Sequence, residues 1–334
     1  MKNSVSIVFF LFVTFLLFYI GMPTINYGFT GLPFALLVLT FLWVILSTGL
    51  KMSADKKQVQ VAAKPKRFLF IIIAVLLGYM IVTPLLTSLP LFRASAYQTL
   101  IGKVENGKKI SNHIAPISID KIRVVDEDLA HLLGEKILGS QPALGSQVEL
   151  GQFSIQKVNN DLYWVAPLLH SGFFKWINNQ EGTAGYVMVS ATNERDVKLV
   201  QNSNGKPIKI KYQSGAYFQS EIERHLYFSG YSTVGLTDFS FEIDDSGMPF
   251  WVVSKYKKEI GFSGNEATGV VLVDAQTGAI KEYSISKTPQ WVDRIQPINF
   301  IEEQLNDWGE YVHGYWNFSN ANKLQITEGL TLVY

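Results

Sequence analysis

The chain has 334 residues, of which 48% are apolar and 17% are charged, and it contains five histidines and no cysteine. Without cysteine it has no disulfides, no thiolate metal sites and no thiol nucleophile. Charge is divided unevenly, because the first 90 residues hold seven of the 29 basic side chains but one of the 28 acidic ones. The rest of the chain is therefore weakly acidic, and we expect no nucleic-acid partner.

Three long apolar runs fill the first 92 residues. They cover about residues 5–22, 32–50 and 68–92, and none of them contains a charged side chain or a histidine. Each is long enough to cross roughly 30 Å of hydrocarbon as a helix. We therefore predict three transmembrane helices in residues 1–92, with the lipid bilayer as a partner. A cleaved signal peptide for the first run and buried core helices for the others are the alternatives.

The loop between the second and third runs is basic and sets the expected orientation. It carries Lys51, Lys56, Lys57, Lys64, Lys66 and Arg67. Because basic residues in short loops stay cytoplasmic, we predict a multi-pass protein of the cytoplasmic membrane, with its N-terminus inside and its C-terminal region outside. The runs hold no ionisable group of the kind that marks an ion path, so they are typical of an anchor.

Residues 93–118 mix Gly, Lys, Ser and Asn and are predicted to form a linker. Regular patterns begin after it. Asp126 is suited to cap a helix that ends near Gly139, because apolar residues recur at helical spacing between them. The short alternating runs that follow are typical of antiparallel strands.

The region after the linker repeats itself. Residues 153–165 match residues 239–252, and both stretches end in an aromatic pair after a polar turn. Farther along, residues 185–194 match residues 269–278, where an apolar strand leads into a turn and a further strand. The offset between the copies stays at 84–87 residues. Such self-similarity at a nearly fixed period is the signature of a repeated structural unit.

We predict from this repetition two tandem modules, at residues 119–204 and 205–290. Each is expected to be α+β, with one helix packed on a sheet of about four antiparallel strands, and residues 217–228 supply the helix of the second. Residues 291–334 are predicted to hold a helix after Pro297 and the opening strands of a third, incomplete module. An incomplete sheet leaves an unpaired edge, which predicts a truncated chain, a homo-oligomer or a partner that completes the sheet.

Two motifs of the second module suggest a family. An aromatic strand contains Phe250 and Trp251, and an apolar strand closes in a turn that contains Asp274, Thr277 and Gly278. With these motifs the module resembles the PepSY family of small extracytoplasmic modules. The resemblance implies binding or restraint of envelope peptidases, or a sensory or scaffolding role outside the membrane, without catalysis.

The first module departs from this pattern, since residues 190–194 read Ser-Ala-Thr-Asn-Glu where the turn motif is expected. More loosely, the layout of apolar runs followed by tandem modules is similar to that of membrane proteins of Gram-positive bacteria and their phages. Some of those proteins carry a cell-shape label.

Eight residues are candidates for an interaction or structural motif. They are Trp164, Phe173, Phe174, Trp176, Trp251, Asp274, Thr277 and Gly278. The tryptophans at equivalent places, Trp164 and Trp251, suit either core packing or an aromatic docking groove. The aromatic residues at 173–176 lie in a loop between strands, where they suit contact with the bilayer surface, with a partner or with the module's own core. The Asp274 turn suits backbone capping or ligand contact.

The sequence contains no recognisable motif for catalysis or metal binding. The histidines form no His-x-x-x-His or His-Glu-x-x-His pair, and no serine has the spacing of a nucleophile elbow. We therefore expect no cofactor, no metal and no enzymatic activity. The expected function is that of a membrane-anchored extracytoplasmic protein that binds or regulates an unidentified envelope or membrane protein. The alternatives are an envelope peptidase or hydrolase, and a subunit of a multi-span complex for cell-shape or wall processes.

Overall fold

The computed structural model describes residues 2–48, 50–52, 59–61, 67–103 and 118–327. Three apolar helices come first. They are α1 (Lys2–Gly21), α2 (Gly31–Thr48) and α3 (Arg67–Ser88). α1 packs on α2, where the rings of Phe10 and Trp43 have centroids 5.0 Å apart, and α2 packs on α3. These helices are apolar on all sides, as expected for helices that do not face water.

Two helices are long and apolar enough to cross a membrane, namely Ser4–Gly21 and Arg67–Ser88, whereas Gly31–Ser47 is a shorter apolar helix. On length and composition, two of the three expected spans are therefore candidates, and the one expected at residues 32–50 is not. The run predicted at 68–92 also ends early, because Leu89 has an extended backbone (φ −64°, ψ 126°). The ring of Pro90 disfavours the helical conformation at the residue before it.

A short hairpin of β1 (Leu50–Met52) and β2 (Val59–Val61) lies between α2 and α3. Of the six basic residues that set the predicted orientation, Lys51 and Arg67 belong to the described residues. The other four lie outside them: Lys56, Lys57, Lys64 and Lys66.

A fourth helix, α4 (Pro90–Leu100), occupies the start of the predicted linker at 93–118, which corrects that prediction. Residues 104–117 of the linker lie outside the described residues. α4 has a buried face that packs against the end of the chain, where the rings of Tyr97 and Tyr311 lie 6.0 Å apart. Packing between segments so far apart in sequence leaves no signal in local composition.

The α+β region begins with a 3₁₀ turn at Ile119–Lys121, followed by α5 (Glu127–Gly139) and α6 (Pro142–Gly145). α5 starts and ends where predicted. Its start is fixed by a cap, because the Asp126 carboxylate accepts the N–H of Leu129 at 2.9 Å. The first sheet is antiparallel and contains β3 (Val148–Leu150), β4 (Ser154–Val158), β5 (Asp161–His170), β6 (Tyr186–Ser190) and β7 (Val197–Val200). β3 and β4 pair with different halves of β5, and β6 and β7 follow on its other side.

One face of the first sheet is covered by α5. Leu138 of the helix and Trp164, Val187 and Val189 of the strands are buried together in this core. The arrangement is that of a helix on an antiparallel sheet, so this part of the chain is α+β as predicted.

The second sheet is an antiparallel meander. Its strands are β10 (Gly235–Ile243), β11 (Pro249–Ile260), β12 (Ser263–Asp274) and β13 (Ile280–Ser284), paired in that order. Before it come the two-residue strands β8 (Asn202–Ser203) and β9 (Lys206–Pro207), a 3₁₀ turn at Phe218–Ser220 and α8 (Ile222–Leu226).

The continuous helix predicted at 217–228 is wrong. The 3₁₀ turn, α8 and a π-turn (Tyr227–Tyr231) stand in its place. The break lies at Glu221, whose backbone is extended and whose carboxylate accepts the N–H groups of Glu223 and Arg224 at 2.9 Å each. This is the geometry of a helix N-cap, so a new helix begins after Glu221.

The two sheets share an apolar core. Val165 and Tyr186 of the first sheet are buried with Trp251 and Val271 of the second and with Leu226 of α8. One face of the second sheet therefore packs against the first sheet and α8.

The opposite face of the second sheet is covered by the C-terminal part of the chain. Val252 and Val270 pack there against Trp291 and Val292. α9 (Ile298–Glu310) then begins directly after Pro297, as predicted, and packs on α4 and β12.

Residues 311–327 form turns and contain neither helix nor strand. The opening strands of a third module, predicted within residues 323–334, are therefore not found at 323–327. Residues 328–334 lie outside the described residues.

The α+β region contacts one end of the apolar helices. The N–H of Ile25, in the connection between α1 and α2, donates to the carbonyl of Ser232 at 2.7 Å. At the end of α3, the Ser88 hydroxyl oxygen accepts the N–H of Phe262 at 2.7 Å. The connection at 22–30 and the C-terminal end of α3 therefore lie on the same side of the molecule as the α+β region.

Candidate functional site

The two tryptophans at equivalent sequence positions are packed inside the protein. Trp164 lies in the core under α5, and its indole N–H donates to the carbonyl of Val125 at 2.9 Å. Trp251 lies in the core between the sheets and donates to the carbonyl of Tyr212 at 2.8 Å. Both rings are less than 10% exposed. Their position is that of core residues with satisfied polar groups.

The turn after β12 is capped by its own aspartate. One carboxylate oxygen of Asp274 accepts the N–H groups of Gln276 at 2.8 Å and Thr277 at 3.0 Å. Gly278 has φ +74°, and a Cβ there would meet the ring of Tyr212. The glycine is therefore required both by the backbone conformation and by the neighbouring ring.

The segment that contains Phe173, Phe174 and Trp176 was predicted to be a loop. It is instead a short helix, α7 (Phe173–Asn178). Trp176 is buried, Phe173 is half-buried and Phe174 is 77% exposed. The segment therefore packs partly on its own module and partly faces outward.

The eight predicted residues do not converge on one site. The tryptophans lie in two separate cores, the Asp274 turn closes one end of the second sheet, and α7 follows β5 of the first sheet. A stronger candidate site is a groove of about 650 Å³ between α5 and β7. Its lining residues are Leu133, Lys136, Ile137, Ser140, Glu194, Arg195 and Val197.

One side of this groove is the edge of a sheet. β7 is the last strand of the first sheet, and no strand among the described residues pairs with its outer side. The N–H of Ser190 donates to the carbonyl of Asp196 at 2.9 Å. Because hydrogen-bonded and non-bonded pairs alternate along antiparallel strands, the backbone groups of Val197 and Leu199 point away from β6.

The groove has an apolar wall and a mixed rim. Leu133 and Ile137 of α5 are half-buried beside the sheet edge, whereas Lys136, Glu194 and Arg195 are exposed around it. A strand edge next to an apolar helix face suits an extended peptide, which adds backbone hydrogen bonds to the edge and places alternate side chains in the groove.

The sequence predicts the strand at β7 and the helix at α5, but it does not predict their meeting at an open edge. A strand's place in a sheet depends on pairing with distant segments. One sequence signal that could have indicated the groove is the breadth of the apolar surface of α5, which includes Leu132. Leu132 is 62% exposed, so the sheet does not cover the whole apolar surface of the helix.

A second, smaller cavity of about 310 Å³ lies where the connection between α1 and α2 meets the second sheet. Glu223 and Asp238 line it together with Met22 and Thr24. Burial raises the pKa of the Glu223 carboxyl, and the nearby Glu221 adds to this shift. Among the described residues no group of three or more His, Cys, Asp or Glu side chains is arranged to hold a metal ion.

Comparison of the chain with protein-family models, with curated proteins and with solved structures gives no match in any of the three cases.

Proposed function

We propose that this chain is a membrane-anchored, non-catalytic protein that captures an extended segment of an envelope or membrane protein along the outer edge of β7. The observation that carries the proposal is the open strand edge beside the apolar wall of α5, in a groove of about 650 Å³. Confining that groove close to the bilayer raises its effective concentration toward membrane-bound partners.

The anchoring is proposed to use all three apolar helices. The C-terminal ends of α1 and α3 both lie beside the α+β region, so the chain has to return across the apolar layer between them. α2 has 18 residues, which gives about 27 Å at 1.5 Å per residue, close to the thickness of a bilayer core. The basic residues between α2 and α3 favour the cytoplasm for the far side, and the α+β region is then extracytoplasmic.

We also propose that the two sheets belong to related, PepSY-like modules. Trp164 of β5 lies opposite Val189 of β6, and Trp251 of β11 lies opposite Val273 of β12. In both sheets the strand that carries the tryptophan lies between two antiparallel neighbours. This agreement of register supports the sequence repeat, and the family resemblance favours binding over catalysis.

The test is site-specific photocrosslinking of the full-length protein in cells. A photoreactive residue replaces Lys136, which is exposed on the groove, and a control replaces the adjacent Glu135, which is exposed but does not line the groove. Neighbouring residues on a helix point about 100° apart, so the pair separates the groove from the rest of the helix surface. We expect one recurrent protein adduct from position 136 and none from position 135.

A second variant links the adduct to the strand edge. Val197→Pro removes a backbone N–H that points away from β6, and we expect it to abolish the adduct while the ladder to β6 remains. Val197→Ala shortens the side chain but keeps the N–H, so it should retain the adduct. Equal adducts from positions 135 and 136, or an adduct that survives Val197→Pro in a folded protein, would contradict strand addition. An adduct between two copies of this chain would replace the proposed partner with a homo-oligomer.

A further inference from the structure

Five aromatic rings form a continuous cluster on the surface of the α+β region, and we name it the aromatic patch. Its members are Phe173, Phe174, Trp176, Tyr217 and Phe218. The ring centroids of neighbouring members lie 5.1–5.9 Å apart. Phe174 is 77% exposed and Phe218 is 55% exposed, so large apolar rings face outward at two points of the patch.

The patch is joined to the outer end of α1 by one arginine. The guanidinium of Arg224 donates to the carbonyl of Phe218 at 3.1 Å and to the carbonyl of Tyr19 at 3.0 Å. It also lies over the ring of Tyr19, 4.9 Å from the centroid. Phe218 is therefore fixed next to the last turn of a helix that is long enough to cross a membrane.

A further exposed ring lies at the same place. Phe228 stacks on Tyr19 with centroids 5.7 Å apart and is 49% exposed. Tyr19 is two residues from the end of α1, which is about 3 Å along the helix axis. With α1 crossing the bilayer as proposed, rings at this depth would lie at the level of the lipid headgroups, where aromatic side chains are enriched.

Phe218 has an unusual backbone conformation. Its φ is +52°, a left-handed conformation that bulky residues rarely adopt. Such conformations persist only where surrounding contacts hold them, and the hydrogen bond from Arg224 to the Phe218 carbonyl is such a contact.

We propose that the aromatic patch inserts into the boundary between headgroups and acyl chains of the membrane that the N-terminal helices cross. The proposal rests on the proposed anchoring, and it adds a second lipid contact that fixes how the α+β region sits over the bilayer. Insertion is driven by apolar area, so it should depend little on salt or on anionic lipid.

The experiment uses the absence of cysteine from the sequence. Single cysteines are introduced as Phe174→Cys, Leu132→Cys and Leu85→Cys in the full-length protein, and each is labelled with an environment-sensitive fluorophore. Leu132 is 62% exposed on α5 and serves as the matched water-facing control, whereas Leu85 is 51% exposed on α3 and reports on the anchor. The proteins are placed in phosphatidylcholine nanodiscs that contain a lipid with a nitroxide on its acyl chain.

We expect the nitroxide lipid to quench the label at 174 at least about threefold more than the label at 132, with little change between low and high salt. If the label at 85 is strongly quenched but the label at 174 is quenched no more than the label at 132, the proposed lipid contact of the aromatic patch is wrong. The proposed anchoring would still stand. Absence of quenching at 85 would overturn the proposed anchoring, and the lipid contact with it.

Discussion

Gln156 and Ile243 join the two sheets through a hydrogen bond between a side chain and the backbone. The carboxamide oxygen of Gln156, in β4, accepts the N–H of Ile243, in β10, at 2.9 Å. The same carboxamide donates to the carbonyl of Phe241 at 3.5 Å. Gln156 is fully buried. Its side chain takes the place of a strand neighbour, because no strand among the described residues pairs with β10 on this side.

Replacing Gln156 by leucine should destabilise the protein by about 1–3 kcal/mol, because the N–H of Ile243 would stay buried without an acceptor. The measurement is thermal or denaturant unfolding of the full-length protein in detergent. Gln152→Leu makes the same chemical change at an exposed position two residues before β4, and it should change stability by less than about 0.5 kcal/mol. Equal effects of the two substitutions would show that the bond to Ile243 contributes nothing.

Glu242 should make stability fall as pH rises. Burial raises its pKa from 4.5 to about 8, although the backbone N–H that Asp293 donates to the carboxylate opposes this shift. The charge of the Asp293 carboxylate adds to the shift, and the Ser240 hydroxyl and Arg294 oppose it. Between these values the folded state keeps a proton that the unfolded state has lost, so stability decreases with pH, at up to about 1.4 kcal/mol per pH unit. Below the lower value both states are protonated, and the contribution of Glu242 is then fully present.

The check on Glu242 is unfolding at pH 5 and pH 8 of Glu242→Gln and of Glu149→Gln, an exposed control on β3. Glutamine cannot ionise, so Glu242→Gln should raise stability relative to the wild type more at the higher pH than at the lower. Asp293 and Asp307 also have raised pKa values, and they leave a residual pH dependence in both variants. An equal effect of Glu242→Gln at both pH values would contradict the assignment.

Gly261→Ala should weaken the contact between the α+β region and α3. Gly261 has φ +64°, and a Cβ there would collide with Thr87 and lie 2.7 Å from the hydroxyl oxygen of Ser88. Gly205 has a similar φ of +72°, but nothing lies within 4 Å of its Cβ position. Gly205→Ala therefore carries the backbone strain alone, of order 1 kcal/mol, and Gly261→Ala should cost more. Unfolding of both variants in detergent measures the difference in stability. Equal losses of stability would show that α3 moves to accommodate the added methyl group without destabilising the protein.

The tryptophans should behave as core residues. Trp164→Phe and Trp251→Phe each leave a backbone carbonyl without its indole donor, so each should cost about 1–3 kcal/mol. Trp316 is 70% exposed, and Trp316→Phe should change stability by less than about 0.5 kcal/mol. The photocrosslinked adduct described above should persist in the two core variants when they are folded. Its selective loss without destabilisation would point to a docking role for these rings.

Local signals in the sequence predicted the elements whose boundaries depend on neighbouring residues. The cap at Asp126 and the proline at 297 place α5 and α9, and alternating residues place the long strands. The same reasoning failed at residues 217–228, where Glu221 starts a new helix and Arg224 is held by Tyr19, 205 residues away in sequence. Contacts at that separation are set by tertiary packing, which local periodicity does not record.

The candidate site was predicted even less well, for the same reason. Strand character at β7 is local, but its place at a sheet edge depends on every other strand pairing. The aromatic residues at 173–176 were recognised as unusual from the sequence. Their ring neighbours Tyr217 and Phe218, however, come from a later segment of the chain, after the last strand of the first sheet. The sequence pattern therefore indicates three of the five rings and misses Tyr217 and Phe218, the second of which is linked to α1 through Arg224.

The packing of α4 against α9 has a consequence for how the protein survives proteolysis. α4 precedes the α+β region and α9 follows the second sheet, and the two helices pack together. Tyr97 of α4 also contacts Tyr311, the residue directly after α9. A single peptide-bond cut between Lys103 and Ser118 would therefore sever the chain without releasing the α+β region. The two fragments would migrate together under native conditions and separate only when denatured.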